Sequence, residues 1–294
     1  MRVSSLPALY GQKIVLRLLD KGKKSLGLAD LDLGAAEERL ICAALDAPNG
    51  LLLVTGPTGS GKTTSLYAFL DRLNRPEVNI LTAEDPVEYR LDGTTQVPCD
   101  SEEGMTFAKA MRAFLRQDPD IIMVGEIRDA ETADFAIKAA LTGHLVLSTL
   151  HTNDAPGAVS RLLNMGVAPH QLVATRITVM AQRLVRRLCP QCRREGSVPP
   201  VFPDSDALSA HSVFYEAAGC PACHGTGYSG RLGVYEVFTM TGDMERMILA
   251  GTSAAQLRRA AEAAGMGSLR ASALTRLVRG QTSAAEVLRV TVDA

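Results

Sequence analysis

Eight consecutive residues, Gly56-Pro57-Thr58-Gly59-Ser60-Gly61-Lys62-Thr63, satisfy the phosphate-loop pattern GxxxxGK[ST] at every defined position. Glycines let such a loop close tightly, so several backbone N–H groups face one concavity, and a helix N-terminus behind them adds partial positive charge. In this chemistry Lys62 reaches the β- and γ-phosphates of a nucleoside triphosphate such as ATP. The Thr63 hydroxyl ligates Mg²⁺, and Thr64 completes the cradle. The alternative is a glycine turn ahead of an ordinary helix, which leaves the full pattern and its flanks unexplained.

Acidic residues stand where that chemistry needs them. Glu84-Asp85-Pro86-Val87-Glu88 places three carboxylates at the end of an apolar run. A carboxylate there could orient or deprotonate the water that attacks a γ-phosphate; an exposed acidic turn is the plainer reading. Glu126 follows Ile121-Ile122-Met123-Val124. Phosphate-loop proteins keep the acid of the Mg²⁺ shell at that place. Asp is usual where Gly125 stands, so Glu126 supplies the charge alone, through water, unless it is only a strand-end acid. His144 and His151 bracket another apolar run. His151 could sense the γ-phosphate, and His144 suits a subunit contact or a structural role, the ordinary duty of a histidine.

A second chemistry lies further on. Cys189-Pro190-Gln191-Cys192 and Cys220-Pro221-Ala222-Cys223 can give four thiolates to one tetrahedral zinc. With no open position such a site is structural and not catalytic. Two disulfides or unliganded thiols are the alternatives.

The elements that must position these groups alternate. Strands read at Leu51–Val54, Val78–Ala83, Thr94–Val97, Ile121–Val124, between His144 and His151, and at Gly233–Phe238. Helices read at Ala36–Ala47, Thr64–Leu70, Thr106–Gln117, Ala130–Leu141, Ala155–Asn164 and His170–Leu188. The last carries Arg183, Arg186 and Arg187 at its end. Arg112 and Arg116 share a helix face at i, i+4 spacing. Four short helices follow at Asp243–Leu249, Ala254–Ala263, Ser268–Arg279 and Ser283–Val290, with serines at their starts and glycine breaks between them. The rhythm predicts an α/β fold, with a mainly parallel sheet covered on both faces. Residues 1–35 read as a hairpin turning at Gly11-Gln12-Lys13, a piece too small to stand alone and expected to belong to a domain that begins upstream. Arg2 and Arg17 lie in it, as solvated arginines on composition alone.

The bulk numbers exclude several classes. The 294 residues include 46% hydrophobic and 21% charged residues, the balance of a globular chain and not of a disordered one. Net charge is −1, from 31 basic and 32 acidic residues, which argues against bulk electrostatic binding of nucleic acid. No apolar run approaches the ~20 residues of a membrane span. No signal-peptide pattern opens the chain, so a cytoplasmic protein is expected, in which paired CxxC motifs favour metal over disulfides.

Taken together, these residues resemble the secretion-traffic ATPase family, the GspE/PilB-type hexameric motors of type II secretion and type IV pili. The resemblance rests on Gly56–Thr63, Glu84–Glu88, Asp118-Pro119-Asp120 through Gly125-Glu126-Ile127-Arg128-Asp129, Thr142-Gly143-His144, and Ser148-Thr149-Leu150-His151-Thr152. The paired CxxC motifs mark the extension branch of that family, in which glycine at Gly125 is normal. The resemblance implies a RecA-like core at 36–188, a tetracysteine zinc-binding subdomain at 189–235, a helical C-terminal subdomain at 236–294, and at 1–35 the remnant of a small N-terminal domain. It makes Glu88 the general base or water-orienting residue, Glu126 the Mg²⁺-side acid, and Arg2 and Arg17 arginine fingers, with Arg112 and Arg116 near the nucleotide or a subunit interface. It implies ATP, Mg²⁺ and Zn²⁺ as cofactors. The implied partners are further copies in a homohexamer, an inner-membrane platform protein and the cytoplasmic domain of an adaptor protein. No nucleic acid is expected, and the place is cytoplasmic, peripheral at the inner membrane. Pilus assembly and type II secretion share these motifs. The rival readings are a nucleic-acid translocase using the knuckle as a DNA clamp, a slow nucleotide switch, and a small-metabolite kinase, for which no acceptor site is visible.

Overall fold

Gly50–Thr55 (β3) is buried along its whole length, as a strand covered on both faces must be. It sits inside a seven-stranded sheet. The computed structural model describes residues 2–17, 27–100, 102, 104–196 and 213–291. Besides β3 the sheet contains Ile80–Glu84 (β4), Thr95–Pro98 (β5), Ile121–Val124 (β6), Leu145–Leu150 (β7), Ile177–Leu188 (β8) and Tyr228–Thr239 (β11). Their order is β11-β8-β3-β7-β6-β4-β5. All neighbours from β8 to β5 are parallel, and β11 closes the β8 edge antiparallel. Two more strands, Arg194–Gly196 (β9) and Phe214–Glu216 (β10), form a small antiparallel pair.

Alternate residues of each strand feed two cores. Leu52, Val54, Met123 and Leu147 pack with Ala35–Leu45 (α1) and Lys62–Leu73 (α2) on one face. Leu51, Leu53, Ile122, Val124 and Val146 face the other layer. That layer holds Phe107–Phe114 (α3), Ala130–Leu141 (α4), Pro156–Asn164 (α5) and Pro169–Ala174 (α6), and the C-terminal helices Gly242–Leu249 (α7), Ala254–Ala263 (α8), Leu269–Val278 (α9) and Ala284–Thr291 (α10). Leu257, Leu277 and Val287 of these last helices share the core of the sheet.

Two sequence expectations give way. The stretch 170–188 is not one helix: α6 ends at Ala174, and β8 follows. Residues 177–182 of β8 are buried on both faces, so the period-2 alternation that marks a half-buried strand is missing. Only the β-branched Ile177-Thr178-Val179 betrays it. Leu51 pairs with Ile177 and Thr55 with Ala181, after which β8 continues alone beside β11 to Leu188. The boundary read at 235/236 thus falls inside β11. At the N-terminus, Arg2–Ala8 (β1) and Gly11–Arg17 (β2) do form a hairpin, but Ala8 pairs with Gly11, so the connection is Leu9-Tyr10. Two-residue links are among the commonest hairpin connections.

Candidate functional site

Because β3, β7, β6 and β4 run parallel and adjacent, their carboxyl ends share one edge of the sheet, where open α/β sheets hold ligands. The phosphate loop leaves β3 there. Gly56 has φ +144°, and a Cβ on it would meet the Gln182 carbonyl oxygen at 2.5 Å and Ser60 Oγ at 2.6 Å. Gly61, with φ +90°, caps α2, and a Cβ there would meet Gln182 Nε2 at 2.9 Å. Both glycines are therefore fixed by the floor that β8 provides, as well as by the turn. Lys62 folds over the loop and donates to the carbonyls of Gly56 (2.9 Å) and Pro57 (3.2 Å). Burial pushes its pKa down; Glu126 opposes that and Arg183 adds to it, which puts all three charges in one field. Thr63, in the first turn of α2, is exposed, Thr64 is half-buried behind it, and Pro57, Thr58 and Gly59 form the exposed crest. No acidic residue occupies the first turn of α2, so its N-terminal dipole is unneutralised. Among the described residues, the buried Ser60 Oγ finds no hydrogen-bond partner. These features suit a polyphosphate.

Glu126 lies just beyond β6 and is paired to the Arg128 guanidinium, with His151 Nε2 at 3.3 Å from its other oxygen. Burial works against its ionisation, but Arg128 and His151 more than offset this and hold the carboxyl below its usual range. Arg128 also reaches toward Asp85, at 4.0 Å, across the gap between β6 and β4. His151 directly follows β7 on this edge. His144 stands at the opposite end, its Nδ1 donating to the Ala139 carbonyl at 2.9 Å, where it closes α4. Glu88 is exposed on the turn after β4, and its backbone N–H donates to Tyr67 Oη of α2 at 3.3 Å.

The four cysteines are free and converge: their sulfurs lie within 4.8 Å of one another. Cys189–Cys220 is 3.9 Å, and Cys192–Cys223 and Cys220–Cys223 are each 3.8 Å. Zinc–sulfur bonds of about 2.3 Å in a tetrahedron require sulfur separations of about 3.8 Å. Gly219 N–H donates to Cys192 Sγ (3.3 Å) and Gly227 N–H to Cys223 Sγ (3.1 Å), as suits thiolates. The donor set fits a structural tetrahedral ion.

The family description "Type II/IV secretion system protein" matches residues 1–289. The chain is 49% identical to the type IV pilus assembly ATPase PilB of Myxococcus xanthus, over 98% of this chain and 52% of that one. It is 49% identical to the type II secretion system protein HxcR of Pseudomonas aeruginosa, over 100% of this chain and 60% of that one. The chain belongs to the type II/IV secretion system protein family. Its GspE/PilB-type resemblance is borne out, although the chain spans only about half to three-fifths of the length of these relatives. Among solved structures, the Legionella pneumophila ATPase DotB superposes with TM-score 0.73 at 22% identity, covering 99% of this chain and 72% of that one. The pilus retraction motor PilT with bound ADP superposes with TM-score 0.70 at 24% identity, covering 99% and 78%. They share the RecA-like α/β core with its mainly parallel sheet.

Within this secretion-family fold, the arginines separate. Arg112 pairs with Glu131 of α4 and lies 5.2 Å over the Phe135 ring, and Arg116 donates to the Arg112 carbonyl at 2.9 Å. Their described contacts run to α4 and along α3, not to the phosphate loop. Arg2 and Arg17 face each other in the β1–β2 register, but their side chains lie outside the described residues. Two residues that the sequence reading left without a role, Gln182 and Arg183, stand at the loop. Gln182 Oε1 accepts from Ser65 Oγ of α2 at 2.7 Å. Arg183, half-buried, donates to the Asn153 carbonyl at 2.7 Å beyond His151. Reading 170–188 as a helix hid both; the signal that could have found them was the β-branched start of β8.

Proposed function

We propose that this chain is the ATP-hydrolysing part of a motor that powers assembly of pilin or pseudopilin fibres, in type IV pilus biogenesis or type II secretion. The observation that carries this reading is the shared sheet edge, where a complete phosphate loop, Glu126, His151 and the acidic turn ending in Glu88 meet. The similarity to a type IV pilus assembly ATPase and to a type II secretion system protein supports the same reading.

The cradle of backbone N–H groups from Gly56 to Thr64 and the α2 N-terminus bind the phosphates, and Lys62 exchanges its loop carbonyls for phosphate oxygens. Thr63 and Glu126 would hold Mg²⁺, which would supply positive charge against the phosphates when bound. Glu88 orients the attacking water and accepts its proton. Positive charge from Lys62, and from Arg2, Arg17, Arg112 and Arg116 at a subunit boundary, stabilises the transition state. His151, against Glu126, reports the γ-phosphate. Cys189, Cys192, Cys220 and Cys223 would hold Zn²⁺, tying off the segment between β8 and β11.

On this reading residues 1–35 form an N-terminal hairpin segment, 36–188 the core, 189–235 the tetracysteine subdomain and 236–294 the helical subdomain, with β11 running across the last boundary. Six copies form the ring. It sits on the cytoplasmic side of the inner membrane, against a platform protein and the cytoplasmic domain of an adaptor. No described helix is long and apolar enough to cross a membrane. The test is phosphate release from ATP and Mg²⁺ by the chain and by Lys62→Ala. Loss of about 10²–10³-fold in turnover is expected for losing one such charge, and substantial residual hydrolysis in the variant would count against this site.

A further inference from the structure

Tyr67 is 0% exposed, one and a half turns into α2 from Lys62. Its hydroxyl donates to Oε2 of Glu84, the last residue of β4. Glu84 is itself only 3% exposed. Its other oxygen accepts from Thr82 Oγ1 (2.6 Å) and Gln96 Nε2 (3.0 Å). The three donors are thus a phenol, a hydroxyl and an amide, and all are neutral. Burying a carboxylate against neutral donors is costly compared with packing an apolar residue in the same place. The tyrosine oxygen also receives the Glu88 backbone N–H at 3.3 Å. Tyr89 stacks against its ring in a T-shaped arrangement, with centroids 4.4 Å apart. One hydroxyl therefore touches both ends of the acidic turn, the carboxylate before it and the amide at its far end. It does so from the helix whose N-terminus is the phosphate loop.

We propose that Tyr67 is a positioning residue: through the Glu84 carboxylate and the Glu88 N–H it ties the turn 85–88 to α2, so that the phosphate loop and the Glu88 carboxylate hold one fixed relation. This rests on the hydrolase reading of the same site and adds to it the part that aligns base and phosphate. Burial and Glu84 together raise the Tyr67 pKa, so the phenol stays protonated and able to donate across the neutral range. A ligand that shifts α2 shifts the turn with it. Base and nucleotide then stay in register while the loop closes, where a misplacement of about 1 Å can cost about a hundredfold in rate.

Tyr67→Phe keeps the ring and removes the link. In the 294-residue chain, three readouts are expected: unchanged affinity for a fluorescent ATP analogue; kcat lower by about tenfold to a hundredfold with KM unchanged; and faster hydrogen exchange across residues 85–91 without nucleotide. Glu84→Gln keeps the side-chain shape but leaves one acceptor oxygen where there were two; it guards against a Phe variant that fails to fold, and should show a weaker form of the same split. Unchanged exchange across the turn overturns the proposal, as does an unchanged kcat in an active enzyme or an equal loss of nucleotide binding and turnover. A parent chain that neither binds nor splits ATP sinks the hydrolase reading instead. The exchange measurement, made without nucleotide, still decides whether Tyr67 fixes the turn.

Discussion

At the phosphate cradle, charges of both signs answer one another; at the cysteine knuckle, four donors of one kind converge. Lys62 rests on its own loop carbonyls, and Glu126 is held by Arg128 and His151. Each of these contacts can be exchanged for a phosphate or a metal ion, so the cradle is stable alone and responsive to a ligand. The sulfurs, at 3.8–3.9 Å from one another, have no such internal answer once they are thiolates, and need a cation to stay together. A region that must change is built from interchangeable partners. A region that must stay put has four like donors placed to share one ion. β8 touches both, passing under the loop at Gln182 and ending beside Cys189.

The strongest way to break this contrast is to remove the metal. Titrating the thiols with an organomercurial, while a chromophoric chelator records released metal, is expected to give one zinc per chain. Structural zinc binding is worth on the order of 10 kcal/mol in small domains, so hydrogen-exchange protection should vanish across 189–196 and 213–228. Nucleotide affinity should be unchanged. Loss of nucleotide binding in step with zinc release would show that β8 couples the two regions and that the contrast is wrong.

Glu88→Gln attacks the responsive side. Nucleotide binding should survive and kcat should fall by about 10²–10⁴, or ~3–5 kcal/mol of barrier. An unchanged kcat, by single-turnover measurement, would move the base elsewhere on the edge.

The smallest effect is expected where the C-terminal helices grip β8. Glu286, 1% exposed, accepts from Arg186 N (2.8 Å) and Nε (3.0 Å) and from Arg289 Nε (3.0 Å) and Nη2 (2.7 Å). Burial alone would raise its pKa, but Arg289 and Arg186 reverse that and hold it down to about 2, from 4.5. A depressed carboxyl stabilises fully above the unfolded value and loses its contribution as pH falls toward 2. Glu286→Gln should cost about 2 kcal/mol at pH 7, trimmed from a fully buried pair because both guanidiniums are half-exposed. Its acid unfolding between pH 4.5 and 2 should be shallower than that of the parent. Parallel acid-denaturation curves for the two chains would discard this account of β8.

Most of the sheet could be read before any coordinates. Ile121–Val124 and Ala130–Leu141 have the same ends in the sequence reading and in the structure. β8 could not be read so, because burial on both faces erases the alternation that separates strand from helix. With it went Gln182 and Arg183. Tyr67 was equally silent: in the sequence it is one apolar position on an amphipathic helix, and only its packing against β4 gives its hydroxyl a partner.

What the sequence determined alone was every feature whose chemistry is contained in a few neighbouring residues. The loop pattern at Gly56–Thr63, the two CxxC pairs and the acids ending apolar runs are of this kind, because spacing along the chain fixes their local geometry. Only the tertiary structure decided which distant groups share an edge. Parallel pairing of β3, β7, β6 and β4 brings residues from 56 to 151 to one rim, and the long β8–β11 ladder runs from beside that rim to the knuckle. Contacts between residues so far apart in the chain follow from how sheets pair and bury their faces, which no local run of side chains records.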